Sequence, residues 1–298
     1  VTTSAVVVNH KTPDLASRCA RSVEAEVDEL LIVDNGSLDG SVAALRDMGF
    51  TVLEMGNGGF AAGVNAGMAH THGDVVLVLN ADTELRPGAA RALQRRLVEW
   101  PGVGVAAPRL LDAAGAPVRT AYRRFPGLWT VLFELCLPLG YLAERWPLLD
   151  PYRMRPSDWA TGRPVAHVQG AVMAIRRAAW SAVRLDEGYF LYFEETDWQE
   201  RLARLGWTVS CVAEAAAVHL GRSGAPDSAP APAYVKSAQR YLGQRGVPAW
   251  VFRSLARVAT DISTAGLVVL GVLPRRGAPS RRRRPEWAQL RRTLRSSE

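Results

Sequence analysis

Four stretches of this sequence concentrate side chains able to do chemistry. Asp82 lies in VLVLNADTEL, where a long apolar stretch ends in polar residues. A carboxylate there suits a hard cation such as Mg2+ or Mn2+, which takes oxygen ligands and bridges protein to phosphate. It could equally cap a helix. Asp34, in LLIVDNGSLDG, is placed to accept hydrogen bonds from a nucleotide's base or ribose. The plainer alternative is a helix cap or Asx-turn, a part open to Asp34, Asn35, Ser37 or Asp39. The densest acidic group is DEGYFLYFEETDW, residues 186–198, with five acids set among five aromatic residues. A helix starting near Glu194 carries Glu194, Glu195 and Asp197 in its first turn. Crowded like charges raise a carboxyl pKa and a helix N-terminus lowers it, so one of these groups can be poised as a general base. Simple N-terminal helix charge is the competing explanation. His219, in AAAVHLGRSG, gains a role only if its strand ends near Asp82.

Residues 56–63, GNGGFAAG, contain a GxGxxA match that invites a dinucleotide-binding reading. The match follows the third apolar run, whereas that fingerprint belongs in the first strand-to-helix turn. The first turn, residues 9–13, holds no glycine. The stretch reads instead as a tight backbone approach beside a helix, with Gly63, Asn65 and Gly67 repeating a small or polar face toward a ligand.

The elements that must position these residues follow a regular alternation. Apolar runs at 5–8, 30–33, 52–53 and 75–79 read as buried parallel strands. Helical patterns lie between and after them at about 14–25, 40–48, 60–70 and 87–98. This predicts an α/β fold with a doubly wound, mostly parallel sheet whose ligands bind beyond the carboxyl ends of the strands. Asn9, Asp34, Asn80 and Asp82 stand at those ends. A further strand at 103–107, a hairpin turn at 113–115, a strand over 165–175, a helix at 194–205 and a strand at 207–212 continue the pattern. Residues 125–149 are aromatic, apolar and broken by prolines, as surface helices meeting an apolar partner would be. Residues 221–232 read as a flexible loop, and the remainder as helical and increasingly basic.

The chain has 298 residues, enough for one large α/β domain or two modest ones. Its net charge of +7 is local, because residues 275–298 hold nine Arg against Glu286 and Glu298. A basic tail on a neutral body argues against nucleic acid as partner. Cys19, Cys136 and Cys211 are far apart, which argues against a zinc ribbon or disulfide framework and fits a reducing cytosol. The first residues do not form a signal peptide, and the apolar run at 262–273 is too short to span a bilayer.

Seven motifs in order, VVVNH, IVDNGSLDG, NGGFAAGVNAG, VLVLNAD, GAVMAIRRAAW, DEGYFLYFEETDW and VHLGRS, resemble family-2 glycosyltransferases of the A-type fold. The similarity is to bacterial rhamnosyltransferase-like members and runs from about residue 4 to 223. It implies a catalytic domain over 1–224, with a Rossmann-like nucleotide-sugar half (1–108) and an acceptor half (109–224), before a helical basic extension (225–298). Carried over residue by residue, it makes Asp34 the acid that meets the uracil or thymine imide and Asn9 the edge of that pocket. Gly63 and Asn65 become the phosphate-side helix start. Asn80-Ala81-Asp82 stands where the family has Asp-x-Asp, so Asp82 is the implied ligand of Mn2+ or Mg2+ and His219 a further one. Glu195 falls at the general base, a position more often Asp, and Asp197 and Trp198 at the acceptor side.

The implied reaction is inverting transfer of a sugar, with rhamnose favoured by the resemblance, from a UDP- or dTDP-sugar to an acceptor hydroxyl. The acceptor would be a glycan, a lipid-linked glycan or a soluble natural product. The basic tail, the 262–273 run and the 125–149 segment predict a cytoplasmic protein held at the anionic inner face of the cell membrane. Two readings from other classes compete: a nicotinamide-dependent oxidoreductase using the glycine stretch, and a catalytically silent scaffold that binds nucleotide sugars.

Overall fold

Strand β1 (Thr3–Asn9) is buried along its whole length. It pairs in parallel with β2 (Glu29–Asn35) on one side and β4 (Val75–Asn80) on the other, and β3 (Val52–Met55) adds to β2. Strands covered on both faces must be apolar throughout, which is why 5–8 and 75–79 read as unbroken runs. The crossovers are α1 (Pro13–Arg21), α2 (Ser41–Asp47) and α3 (Phe60–His70). Pro13 opens α1, where its missing N–H leaves no bond unmade. The chain steps outward from β1 to β3 and then returns through α3 to the far side of β1. That reversal creates the crevice where open α/β sheets bind ligands.

The computed structural model describes residues 1–118, 120–136, 152–154, 164–221, 232–272, 290 and 294. Two compact units emerge, Val1–Phe125 with Arg153–Ser223, and Pro126–Tyr152 with Gly224–Glu298. In the first, β5 (Thr83–Leu85), α4 (Ala89–Glu99), β6 (Val103–Leu111), β10 (Val172–Arg176) and β11 (Thr208–His219) complete a mixed sheet. Its order is β3-β2-β1-β4-β10-β6-β11-β5, with β8 (Pro164–Val165) beside β11. β10 is antiparallel to both of its neighbours, β4 and β6. A small second sheet pairs β7 (Tyr122–Arg123) with β9 (His167–Val168). Register places Asn9 beside Asp34, Val8 beside Asn80 and His219 beside Thr83.

Three elements differ from the sequence reading. Residues 165–175 are not one strand: they form β8, β9 and β10, with the chain turning at Gly170. β11 does not stop near 212 but runs to His219, with a register shift between Val212 and Ala216. There Arg109 Nε donates to the Ala213 carbonyl (2.6 Å), supplying the partner the irregular ladder lacks. Finally, the 14–25 helix ends at Arg21, and a separate 3-10 turn covers Glu24–Glu26.

The second unit contains helices Leu128–Leu135, Pro232–Gly243 and Ala249–Val272. The Ser263 hydroxyl donates to the Leu135 carbonyl (3.0 Å), and Tyr234 meets Glu134 through a short hydrogen bond. The apolar 262–273 run is the end of a 24-residue helix; Leu273 lies outside the described residues, as do Arg281–Arg284, 137–149 and 222–231. Leu290 and Leu294 are buried, and the Leu294 carbonyl accepts two N–H bonds from Arg257, at 3.0 and 2.8 Å. No helix among the described residues is long and apolar enough to cross a membrane.

Candidate functional site

The carboxyl ends of β1 and β2 build one wall of the crevice. Asn9 Nδ2 donates to Asp34 Oδ1 (2.8 Å), and the Ser37 backbone N–H donates to Asp34 Oδ2 (2.9 Å). The Ser37 hydroxyl also donates to Oδ1 and accepts the Lys11 N–H at 2.8 Å. Asn9 Oδ1 in turn accepts from the Thr12 hydroxyl (3.1 Å). Asp34 is thus fixed rather than swinging, and is only 1% exposed. Among the described residues its Oδ2 accepts from the Ser37 N–H alone, so one lone pair is left for an imide N–H.

A second wall joins residues distant in sequence. β11 brings His219 against β5, and His219 Nε2 lies 3.2 Å from Asp82 Oδ1. A Cβ at Gly221 would come within 2.1 Å of Asp82 Oδ2, so a side chain there would fill the space beside the pair. His219 Nδ1 is buried with no partner among the described residues. No group of three or more His, Cys, Asp or Glu side chains converges among the described residues. A hard divalent cation completed by phosphate oxygens and water needs only one or two side chains. The Asp82–His219 pair fits that kind of cation.

The helix Glu194–Arg204 brings in the carboxyl groups. Glu194, Glu195 and Asp197 are all buried, and the three are not equivalent. Asp197 Oδ2 is 2.7 Å from Arg201 Nε one turn on, an ion pair that commits it. Glu195 packs against Gly170, and the adjacent Ala171 carbonyl accepts the Asn80 N–H (2.9 Å). Burial pushes the Glu195 carboxyl above its ordinary range, while Arg123 and backbone N–H groups of Thr196 and Gly170 pull against this. Burial pushes Glu194 up further, and the Glu195 charge adds to it; its Oε2 has no partner among the described residues. Ahead of the helix, Tyr192 and Phe193 hold φ of 70° and 67°. Two consecutive bulky residues in the left-handed region store strain, about 1–3 kcal/mol each.

Several expected placements are corrected. Gly63 and Gly67 do not face a ligand: a Cβ at Gly63 would sit 3.0 Å from Val8 Cγ1, and one at Gly67 2.3 Å from Val6 Cγ1. Both glycines let α3 lie close on the sheet. Asn65 is a clamp, its amide donating to the Leu185 carbonyl and Glu187 Oε1 (both 2.9 Å) while its oxygen accepts from Trp180 Nε1 (3.1 Å). Trp198 is fully buried and donates to the Val183 carbonyl (2.7 Å), so it buttresses the helix from the core and cannot line an acceptor surface. Sequence reasoning passed over Ser37 as more than a cap, and missed Arg123 and Gly170 as neighbours of Glu195. For Gly170 the signal existed: a glycine inside a strand pattern marks a close approach.

The family model described as Glycosyl transferase family 2 matches residues 4–155. A relative in Mycobacterium tuberculosis, described as N-acetylglucosaminyl-diphospho-decaprenol L-rhamnosyltransferase, is 32% identical over 208 residues, covering 64% of this chain and 66% of its own length. Among solved structures, GalNAc-T7 with UDP, GalNAc and Mn2+ superposes with a TM-score of 0.59 at 16% identity, over 82% of this chain and 48% of its own. Glucosyl-3-phosphoglycerate synthase from M. tuberculosis with Mg2+ and UDP gives 0.54 at 18% identity, over 83% and 80%. These two share the A-type glycosyltransferase architecture with the sheet described above.

Proposed function

This chain belongs to glycosyl transferase family 2, and on that premise we propose that it transfers a sugar from a UDP- or dTDP-sugar to an acceptor hydroxyl with inversion. The observation that carries the reading is the contact of Asp82 with His219, with Asp34 and Asn80 likewise at the carboxyl ends of their strands. One wall suits a pyrimidine imide, through Asp34, and the other a metal-bound diphosphate. A nicotinamide-dependent oxidoreductase has no comparable support, because Gly59 packs on the Phe190 backbone and Gly63 on Val8.

In the proposed reaction, the Glu195 carboxylate takes the proton of the acceptor hydroxyl as its oxygen bonds to the anomeric carbon. The bond from that carbon to the diphosphate oxygen breaks on the opposite face, and its electron pair leaves with the diphosphate. A single displacement of this kind inverts the anomeric centre. Asp82 and His219 would hold Mn2+ or Mg2+, which supplies charge stabilisation to the departing diphosphate when bound. Burial around Glu195 and Glu194 excludes water that would otherwise compete as acceptor. A lipid-linked glycan as acceptor, and rhamnose as the sugar, are supported by what the mycobacterial relative is described as transferring and acting on.

The test pairs two variants. Glu195→Gln is expected to bind nucleotide sugar normally and lose transfer by about 10²–10⁴-fold, the range for a general base. Asp82→Ala is expected to lose the Mn2+-dependent part of donor affinity in calorimetric titration. Near wild-type transfer by Glu195→Gln, or unchanged metal dependence in Asp82→Ala, rejects the corresponding assignment.

A further inference from the structure

Asn35, the last residue of β2, is 5% exposed and uses both ends of its amide on one loop. Its Nδ2 donates to the Gly59 carbonyl (3.0 Å), and its Oδ1 accepts the Gly58 N–H (3.1 Å). That loop does not end in solvent. Gly59 has φ of 87°, and a Cβ there would come 2.1 Å from the Phe190 carbonyl oxygen. The next N–H, of Phe60, donates to that same oxygen at 3.0 Å. Phe190 is two residues before the left-handed pair Tyr192–Phe193, from which Glu194 and Glu195 follow directly. The Phe60 ring closes the circuit on the other side, lying against Gly170, which also packs on Glu195.

We infer that Asn35 is a positioning residue: by clamping Gly58 and Gly59 it holds the Phe190 carbonyl, and through it the strained turn that aims Glu195. The inference rests on Glu195 being the base. It needs Asn rather than a residue of similar size. The clamp requires a donor toward Gly59 and an acceptor toward Gly58 at once, which among side chains of that length only a primary amide provides. Asn35 sits beside Asp34, so the wall proposed for the nucleotide base and the proposed base share one rigid connection.

Asn35→Asp keeps the shape and the Gly58 bond but turns an oxygen toward the Gly59 carbonyl. Gly59→Ala attacks the same link from the other end and leaves β2 intact, should Asn35→Asp not fold. Both are expected to bind donor with near wild-type affinity while kcat falls by about 10²-fold, the scale of an ångström-level misplacement. The acidic limb of the kcat–pH profile should move toward the ordinary carboxyl range as water reaches Glu195. Hydrogen exchange across 190–195 should quicken in both variants. Unchanged kcat, acidic limb and exchange rates overturn the role of Asn35, as does a loss confined to donor affinity. Glu195→Gln is measured in parallel: if it keeps turnover, the base assignment itself fails, and with it the aim given to Asn35.

Discussion

Glu194 sits in the first turn of a helix with almost no solvent around it and a second carboxyl beside it. Both influences raise its pKa above the ordinary 4.5, burial first and the Glu195 charge second. A carboxyl whose folded pKa is raised binds its proton more tightly folded than unfolded. Its contribution to stability is therefore complete below the unfolded pKa and is lost as pH rises through the folded one. Glu194→Gln is neutral at every pH and escapes that loss. Urea unfolding should show the variant gaining on wild type as pH climbs from 4.5, with no gain below it. A difference that stays constant with pH would show that Glu194 is not held in this way. The cluster itself could be read from the sequence, since acids among aromatics at a helix start are conspicuous. The Asp197–Arg201 pair is likewise local, four residues apart on one helix, but which carboxyl lies under the pull of Arg123 depends on tertiary neighbours. Asn65 is the sharper case, because Leu185, Glu187 and Trp180 lie more than a hundred residues further along.

At the level of elements, α3 shows how a glycine pattern can mimic a ligand-binding face. Gly63 and Gly67 are one turn apart, and both are turned to the sheet. Alanine in a helix interior is favoured over glycine by roughly 0.5–1 kcal/mol, but overpacking costs about 1–3 kcal/mol. A methyl added at Gly67 would meet Val6 Cγ1 at 2.3 Å and Val33 Cγ2 at 3.1 Å, which puts that position on the overpacked side. Gly67→Ala should lower the unfolding free energy by about 1–2 kcal/mol. A raised urea midpoint would show that α3 can lift off the sheet freely. Strand periodicity located β1, β2, β4 and β6 because core strands are apolar through their middle, whereas β3, expected as a buried strand, is the half-exposed end of the sheet. Periodicity lost β11 beyond residue 212, where Ala215, Ala216 and Ala217 give little contrast between faces, and so could not tell that His219 reaches Asp82. It also overlooked β5, a three-residue strand whose existence depends on β11.

Taken as a whole, the molecule separates its charge. Residues 224–298 hold fourteen Lys and Arg against four Asp and Glu, a balance of +10 within a chain of +7. In the second unit Trp129, Trp250, Val258 and Ile262 are exposed, the last three on one helix. Exposed aromatic and apolar side chains in a segment this cationic suit an anionic bilayer surface, where each nearby Arg adds about 1 kcal/mol. The full chain should float with anionic vesicles at low salt and not with neutral ones; protein left in the soluble fraction with both would favour a soluble acceptor. The order of strands has another consequence, for a chain as it is being made. β3, β2, β1 and β4 lie within the first 80 residues, yet the partner of β4 on its open side is β10, beginning at Val172. At about 5–20 residues per second, a ribosome needs on the order of 5–20 s to deliver it. Throughout that interval the hydrogen-bonding edge of VVLVLN stays unpaired, an apolar strand open to any other nascent chain. Any fragment ending before Val172 would carry that edge permanently, so residues 1–108 cannot be expected to remain soluble when cut out alone.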